Sequence, residues 1–198
     1  MEKLNCLILD DHPLVGIAIK SLVLDLKYVE SVEILTDANK SLAKLKEGSI
    51  NLLILDVNLG DCDGFDFYRR IKSHGYKGKV LFFSAEQSYL FSEMAFKLGA
   101  DGYVCKSEEH SILRDAIEGI YHGYTFFKFK QNARQVDRQK KLSSREVVVM
   151  NYLLQGKNNK EIAALLSISD KTVSTYKKRI FDKYSVSNII ELTKVTVN

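Results

Sequence analysis

Two stretches decide the fold of the first half of the chain: Leu7-Ile8-Leu9-Asp10-Asp11 and, further on, Leu52-Leu53-Ile54-Leu55-Asp56. Each is a short, continuously apolar run closed by carboxylates. That is the pattern of a strand buried on both faces. In an open α/β sheet, ligands gather at the carboxyl ends of the strands. If these two strands are neighbours, Asp10, Asp11 and Asp56 share one pocket. Three carboxylates so close together need a cation to offset their repulsion. An oxygen-only donor set suits Mg²⁺.

Outward from these runs the pattern repeats. Apolar runs at about residues 5–9, 32–35, 51–55, 79–83 and 101–104 predict strands. Amphipathic stretches at about 14–26, 38–47, 64–73, 87–98 and 108–122 predict helices, as the spacing of Ile112, Ala116, Ile117 and Ile120 illustrates. Five β–α repeats imply a parallel sheet with helices on both faces. The fourth run ends at Ser84 and the fifth at Lys106, on the same sheet edge as the carboxylates. An aspartate at such a place can act as a nucleophile and form an aspartyl phosphate. A metal, a hydroxyl (Ser84) and a cation (Lys106) would then meet the phosphoryl oxygens. A lone Asp at a strand end is ordinarily a turn or cap residue, which is the role expected of Asp63. The ordered set, one group per strand, points instead to chemistry.

The second half reads differently. Residues 128–140 are polar and predict a linker. Beyond them everything is helical. Ser143 with Glu146 forms a capping box, and Gly156 closes that helix. Asn159 can cap the next, and Ser169 caps a helix running to about Tyr184. A last helix starts near Ser187. The central pair has helix-turn-helix spacing. Val173, Tyr176, Ile180 and Tyr184 form an inward stripe, which turns Lys171, Ser174, Thr175, Lys178 and Asp182 outward. Small residues at 174 and 175 allow close entry into a major groove, and Lys178 can reach a guanine edge or a phosphate. Lys160 and Thr172, near helix starts, are placed for phosphates.

Charge follows the same division. Residues 1–127 hold 14 Lys and Arg against 19 Asp and Glu, whereas residues 141–198 hold 10 against 5. Metal or phosphate chemistry in front and a polyanion behind would account for this. At 198 residues, 45% hydrophobic and 27% charged, the chain fits two globular domains. No apolar stretch approaches the ~20 residues of a membrane span, and the N-terminus does not read as a signal peptide. A soluble, cytoplasmic protein without a membrane partner is expected. Cys6, Cys62 and Cys105 lack metal-type spacing and are expected to be reduced, structural residues.

Residues 1–122 resemble a CheY-like receiver domain of a two-component response regulator, a flavodoxin-like five-stranded parallel fold. The pattern is an acidic pair after strand one, Asp after strand three, Ser after strand four and Lys after strand five. The resemblance implies Asp56 as phosphoacceptor. It implies Mg²⁺ on Asp11, Asp56 and the backbone carbonyl of Asn58, with Asp10 supporting through water. Ser84 and Lys106 would hold phosphoryl oxygens, and Tyr103 would be the switch aromatic that turns inward when Ser84 moves. Gly60 stands where the family usually has Pro, which leaves the metal-side loop looser. The segment Leu142-Ser-Ser-Arg-Glu146 … Gly156-Lys-Asn-Asn-Lys-Glu-Ile-Ala163 … Leu166-Ser-Ile-Ser169-Asp-Lys-Thr-Val173 resembles the LuxR-type helix-turn-helix. With 123–140 as linker and 141–198 as DNA-binding domain, the chain resembles the NarL/FixJ class. Thr-Val-Ser-Thr-Tyr-Lys (172–177) and Gly-Tyr-Thr-Phe-Phe (123–127) are similar to its BvgA/EvgA/FimZ-like branch. That likeness implies Ser174, Thr175 and Lys178 on bases, and Lys160, Lys171 and Thr172 on phosphates. It also implies a homodimer on DNA through the last helix, around Ile189, Ile190 and Leu192. A transcription factor rather than an enzyme is expected, controlled by a sensor histidine kinase. The alternatives are a receiver serving as a phosphate-independent interaction platform, and a phosphohydrolase, whose usual Asp-x-Asp is absent.

Overall fold

The computed structural model describes residues 2–60, 62–86, 89–128, 142–166 and 168–197, in two compact units that divide after Lys128. In the first unit the apolar runs become β1 (Leu4–Leu9), β2 (Val29–Leu35), β3 (Leu52–Leu55), β4 (Lys79–Ser84) and β5 (Gly102–Cys105). Helices α1 (Pro13–Leu24), α2 (Ala38–Lys46), α3 (Gly64–Ser73), α4 (Tyr89–Leu98) and α5 (His110–Tyr121) alternate with them. The sheet is parallel, in the order β2-β1-β3-β4-β5. Every residue of β3 is buried, which is why its sequence is an unbroken apolar run.

Side-chain alternation along the strands builds a core on each face. Cys6, Ile8, Leu52, Ile54, Leu81 and Val104 pack with Ile19, Val23, Leu113 and Ile117 of α1 and α5. Intervening residues face the other way, where the Phe82 ring lies 4.7 Å from that of Phe65, and Phe65 lies 6.0 Å from Phe91. Asp63 caps α3, accepting from the N–H groups of Phe65 (2.8 Å) and Asp66 (3.2 Å). Cys6 is buried and its thiol is pushed up to about 12 by desolvation, which makes it an inert core residue.

The chain does not leave this unit at the end of α5. The Phe126 N–H donates to the Asp101 carbonyl (2.9 Å), and the Phe126 carbonyl accepts from the Tyr103 N–H (2.8 Å), so residue 126 lies beside Gly102 on the edge of β5. Phe126 packs on the core. The ring of Phe127 stands edge-on to Phe96, 5.3 Å between centroids. A Cβ on Gly102 would lie 3.1 Å from the Phe126 carbonyl and 2.8 Å from the end of the Leu81 side chain, so the approach is close and glycine eases it. Residues 123–128, expected at the start of the linker, are thus part of the first unit, because two main-chain bonds and a packed aromatic hold them there. The rest of the expected linker lies outside the described residues.

The second unit holds α6 (Ser144–Leu154), α7 (Asn159–Leu165), α8 (Asp170–Tyr184) and α9 (Ile189–Val197) around Val148, Val149, Ile162, Val173, Ile180 and Leu192. The capping box of α6 is present, with Ser143 Oγ accepting from Glu146 N and Glu146 accepting from Ser143 N. The cap of α7 is Asn158 rather than the expected Asn159. Asn158 accepts from Lys160 N (3.0 Å) and Glu161 N (3.1 Å), and Glu161 returns a bond to Asn158 N (2.7 Å). Ser169 caps α8 through Thr172 N. α9 begins two residues after Ser187, with Asn188 accepting from Glu191 N.

Glu146 also binds Lys183 of α8 at 2.6 Å, tying the start of α6 to the end of α8. Burial alone would push the Glu146 carboxyl up, but the Lys183 ammonium and the Ser143 hydrogen bonds hold it below the ordinary value of 4.5. A depressed carboxylate contributes stability above its unfolded pKa and loses it as pH falls through the folded value. Glu146→Gln is therefore expected to destabilise this unit by about 1–2 kcal/mol at neutral pH. The deficit should shrink below pH 4.5, as followed by denaturant unfolding at a series of pH values. A deficit that stays constant through that range would show that the charge is not what matters.

Candidate functional site

The register of the sheet assembles the site. Leu9 pairs with Leu55, so Asp10 and Asp56 leave neighbouring strands side by side, and Asp56 N donates to the Leu9 carbonyl at 2.9 Å. Ser84 pairs with Cys105, and Lys106 N donates to the Ser84 carbonyl at 2.8 Å. Lys106 Nζ reaches across to Asp56 Oδ2 (2.6 Å) and Asp10 Oδ2 (2.7 Å). The two carboxylates are 4% and 2% exposed, so the ammonium offsets part of their lost hydration. Burial pushes the Asp56 carboxyl above the ordinary aspartate range, against the pull of Lys106. Burial lowers Lys106, but the two aspartates outweigh it and raise its pKa.

Asp11 stands at the mouth. Its Oδ1 is shielded from solvent and accepts no hydrogen bond among the described residues, although His12 Nδ1 lies 2.7 Å away. Ligand atoms from Asp10, Asp11, His12 and Asp56 all fall within 4.8 Å of one another. An unsatisfied carboxylate oxygen beside two buried carboxylates fits a hard divalent cation. His12 was not singled out in the sequence; its place directly after the acidic pair was the available signal. Asn58 donates its N–H to Asp56 Oδ1 (3.3 Å), and its side-chain oxygen accepts from Gly60 N (3.4 Å).

Gly60 has φ +73°, a value closed to proline, and a Cβ there would sit 3.2 Å from Asp11 Oδ2. The backbone at residue 60 is therefore one that a proline could not adopt. It takes a left-handed turn, closed by Leu59 N donating to the Cys62 carbonyl at 3.2 Å, that brings backbone against Asp11. Gly64 makes a second close approach: a Cβ would lie 2.1 Å from the Asp56 carbonyl oxygen. Ser84 is buried at the end of β4, and its Oγ accepts from Glu86 N (3.4 Å). Tyr103 is turned inward, and its hydroxyl donates to the Glu86 carbonyl at 2.6 Å. Desolvation pushes its phenol well above the ordinary range.

In the second unit Val173 and Ile180 are fully buried and Tyr176 and Tyr184 half-buried, so the inward stripe of α8 is as expected. Lys160, Lys171, Ser174, Thr175 and Lys178 are exposed, and Thr172 is half-buried with its hydroxyl 2.7 Å from that of Ser169. Two exposed side chains of α8 already carry internal bonds. Ser174 Oγ accepts from Asn159 (2.9 Å), and the Thr175 hydroxyl donates to the Lys171 carbonyl (3.0 Å).

Comparison with known proteins agrees with both halves. Residues 6–118 match the response regulator receiver domain, and residues 140–196 match the luxR family of bacterial regulatory proteins. The chain is a response regulator of the NarL/FixJ family. It is 34% identical over 200 residues to the Fimbriae Z protein of Salmonella typhimurium, covering 97% of this chain and 95% of that one. It is 32% identical over 195 residues to the DNA-binding transcriptional activator EvgA of Escherichia coli K12, covering 96% and 95%. A solved complex of the response regulator RcsB with DNA superposes with a TM-score of 0.69 at 25% identity, covering 94% of each chain. This response regulator thus pairs a five-stranded receiver with a LuxR-type DNA-binding domain. Among its described residues no helix is long and apolar enough to cross a membrane.

Proposed function

We propose that this response regulator is a sequence-specific transcription factor whose DNA binding is set by phosphorylation of Asp56 by a sensor histidine kinase, in the cytoplasm. The observation that carries this reading is the convergence of Asp10, Asp56, Ser84 and Lys106 at the ends of four adjacent strands, with Lys106 bridging the two aspartates. An Asp56 oxygen forms the bond to phosphorus as the donor's phosphorus–nitrogen bond breaks. Lys106 then exchanges the Asp56 carboxylate for a phosphoryl oxygen, and the Ser84 hydroxyl takes another. Asp11, Asp56 and the Asn58 carbonyl would hold Mg²⁺, with Asp10 supporting the site. When bound, the ion offsets charge on the transferring phosphoryl group. Movement of Ser84 acts on Tyr103 through the chain that links them at Glu86.

At the output end, Lys160, Lys171 and Thr172 meet phosphates, and Ser174, Thr175 and Lys178 face bases. Paired half-sites follow from a homodimer through α9, which buries Leu192 within the unit and leaves Ile190 66% exposed for a second copy. The test is genome-wide binding by the natural protein and by Asp56→Asn, beside acetyl-phosphate labelling with Mg²⁺. Labelling of the natural protein alone, with a binding profile that Asp56→Asn loses, is the expected result. Identical profiles would favour a receiver that works as a phosphate-independent interaction platform.

A further inference from the structure

The recognition helix carries two small hydroxyl residues side by side, Ser174 and Thr175, and the structure gives them opposite polarity. A hydroxyl has one hydrogen to donate and two lone pairs. Thr175 commits its hydrogen to the Lys171 carbonyl at 3.0 Å, so only lone pairs and a methyl group remain for a partner. Ser174 accepts from the Asn159 side-chain amide at 2.9 Å, and among the described residues its own hydrogen has no acceptor. A hydroxyl that accepts a hydrogen bond also donates more strongly. Asn159 can do this because Asn158, not Asn159, caps α7. The side chain of Asn159 is thereby released from the helix end and reaches α8.

We infer that Asn159 is a positioning residue for sequence readout: it fixes Ser174 as a hydrogen-bond donor to DNA. The inference rests on the proposal that Ser174 faces bases. A donor at this position selects a major-groove edge that carries an acceptor, namely purine N7, guanine O6 or thymine O4. It disfavours cytosine, whose edge offers only the N4 donor. Thr175, with the opposite polarity, suits a thymine methyl group or an amino group.

Asn159→Asp reverses the arrangement. The carboxylate has only acceptors, so Ser174 must turn its hydrogen inward and present lone pairs to the base. Aspartate is well tolerated in the first turn of a helix, so the variant should fold. The experiment selects binding sites from a randomised duplex library with the full-length chain, as the natural protein, Asn159→Asp, Ser174→Ala and the double variant. At one base position per half-site the natural protein should disfavour cytosine by about three- to ten-fold. Asn159→Asp should abolish or invert that preference, and Ser174→Ala should erase it. In the Ser174→Ala background, Asn159→Asp should then change nothing at that position. Any general weakening from the added charge near phosphates would appear in both backgrounds and so cancels. The inference is overturned if Asn159→Asp keeps the natural base profile, or if its effect persists without the Ser174 hydroxyl. If Ser174→Ala alone leaves the natural profile intact, Ser174 does not face a base. The assignment of α8 contacts then fails, and this inference with it.

Discussion

Lys106→Ala is expected to destabilise the receiver by about 3 kcal/mol in the presence of a chelator, and Mg²⁺ is expected to restore a large part of the loss. In the natural protein one ammonium lies 2.6 Å from Asp56 and 2.7 Å from Asp10, both nearly inaccessible to solvent. Removing one partner of a buried pair leaves uncompensated charge, and here it leaves two like charges facing each other. Burial already pushes the Asp56 carboxyl up, so the deficit of the variant should narrow as pH falls. Above neutrality the sign is set by Lys106. Its pKa is raised in the folded state, so its contribution is complete below 10.5 and lost as pH rises through the folded value. Denaturant unfolding of both proteins, with chelator and with Mg²⁺, is the measurement. Equal stability of the two proteins in chelator would mean that the carboxylates do not depend on Lys106.

Gly64→Ala is the second large effect, and its origin is steric. Gly64 opens α3, and its N–H donates to the Val57 carbonyl at 2.7 Å. Its φ is not left-handed; the constraint is space, since a methyl group would meet the Asp56 carbonyl oxygen at 2.1 Å and Val57 Cα at 2.9 Å. Both obstacles are backbone. Either α3 retreats and Phe65 loses its packing on Phe82, or the segment that carries Asp56 shifts. A loss of about 3 kcal/mol, or roughly 10 °C in Tm, is expected. Gly119→Ala is the control. A Cβ there meets nothing within 4 Å, and helix propensity gives an expected gain of up to about 1 kcal/mol. Thermal unfolding of the full chain reads both, and similar Tm values for the two variants would sink the steric account.

The parts of this protein that were legible in its sequence are those fixed by local pattern. The runs 7–9 and 52–55 announced buried strands; that they are neighbours was a condition, which the parallel pairing of Leu9 with Leu55 meets. Ser143 and Glu146 announced a capping box because both partners lie within one turn. The expected cap of α7, Asn159, was one residue late: Asn158 precedes Glu161 by the capping-box interval and Asn159 does not. What escaped depends on tertiary approach. Nothing near Gly64 in sequence reports the Asp56 carbonyl above it, and the pairing of Glu146 with Lys183 spans two helices. Phe126 follows a helix in the stretch Gly-Tyr-Thr-Phe-Phe, and only the finished edge of β5 supplies its partners.

That last attachment bears on how the protein carries mechanical load. The covalent path towards the DNA-binding domain departs from the edge of β5, not from the end of α5. Tension applied to it meets the Lys128–Glu108 ion pair and the Phe127–Phe96 ring contact, and then the main-chain bonds of Phe126 with Asp101 and Tyr103. The bridge between residue 126 and Gly102 is parallel. The strand beneath this attachment is the one that Lys106 directly follows, so the tether and the Lys106–Asp56 pair share the few backbone residues of β5.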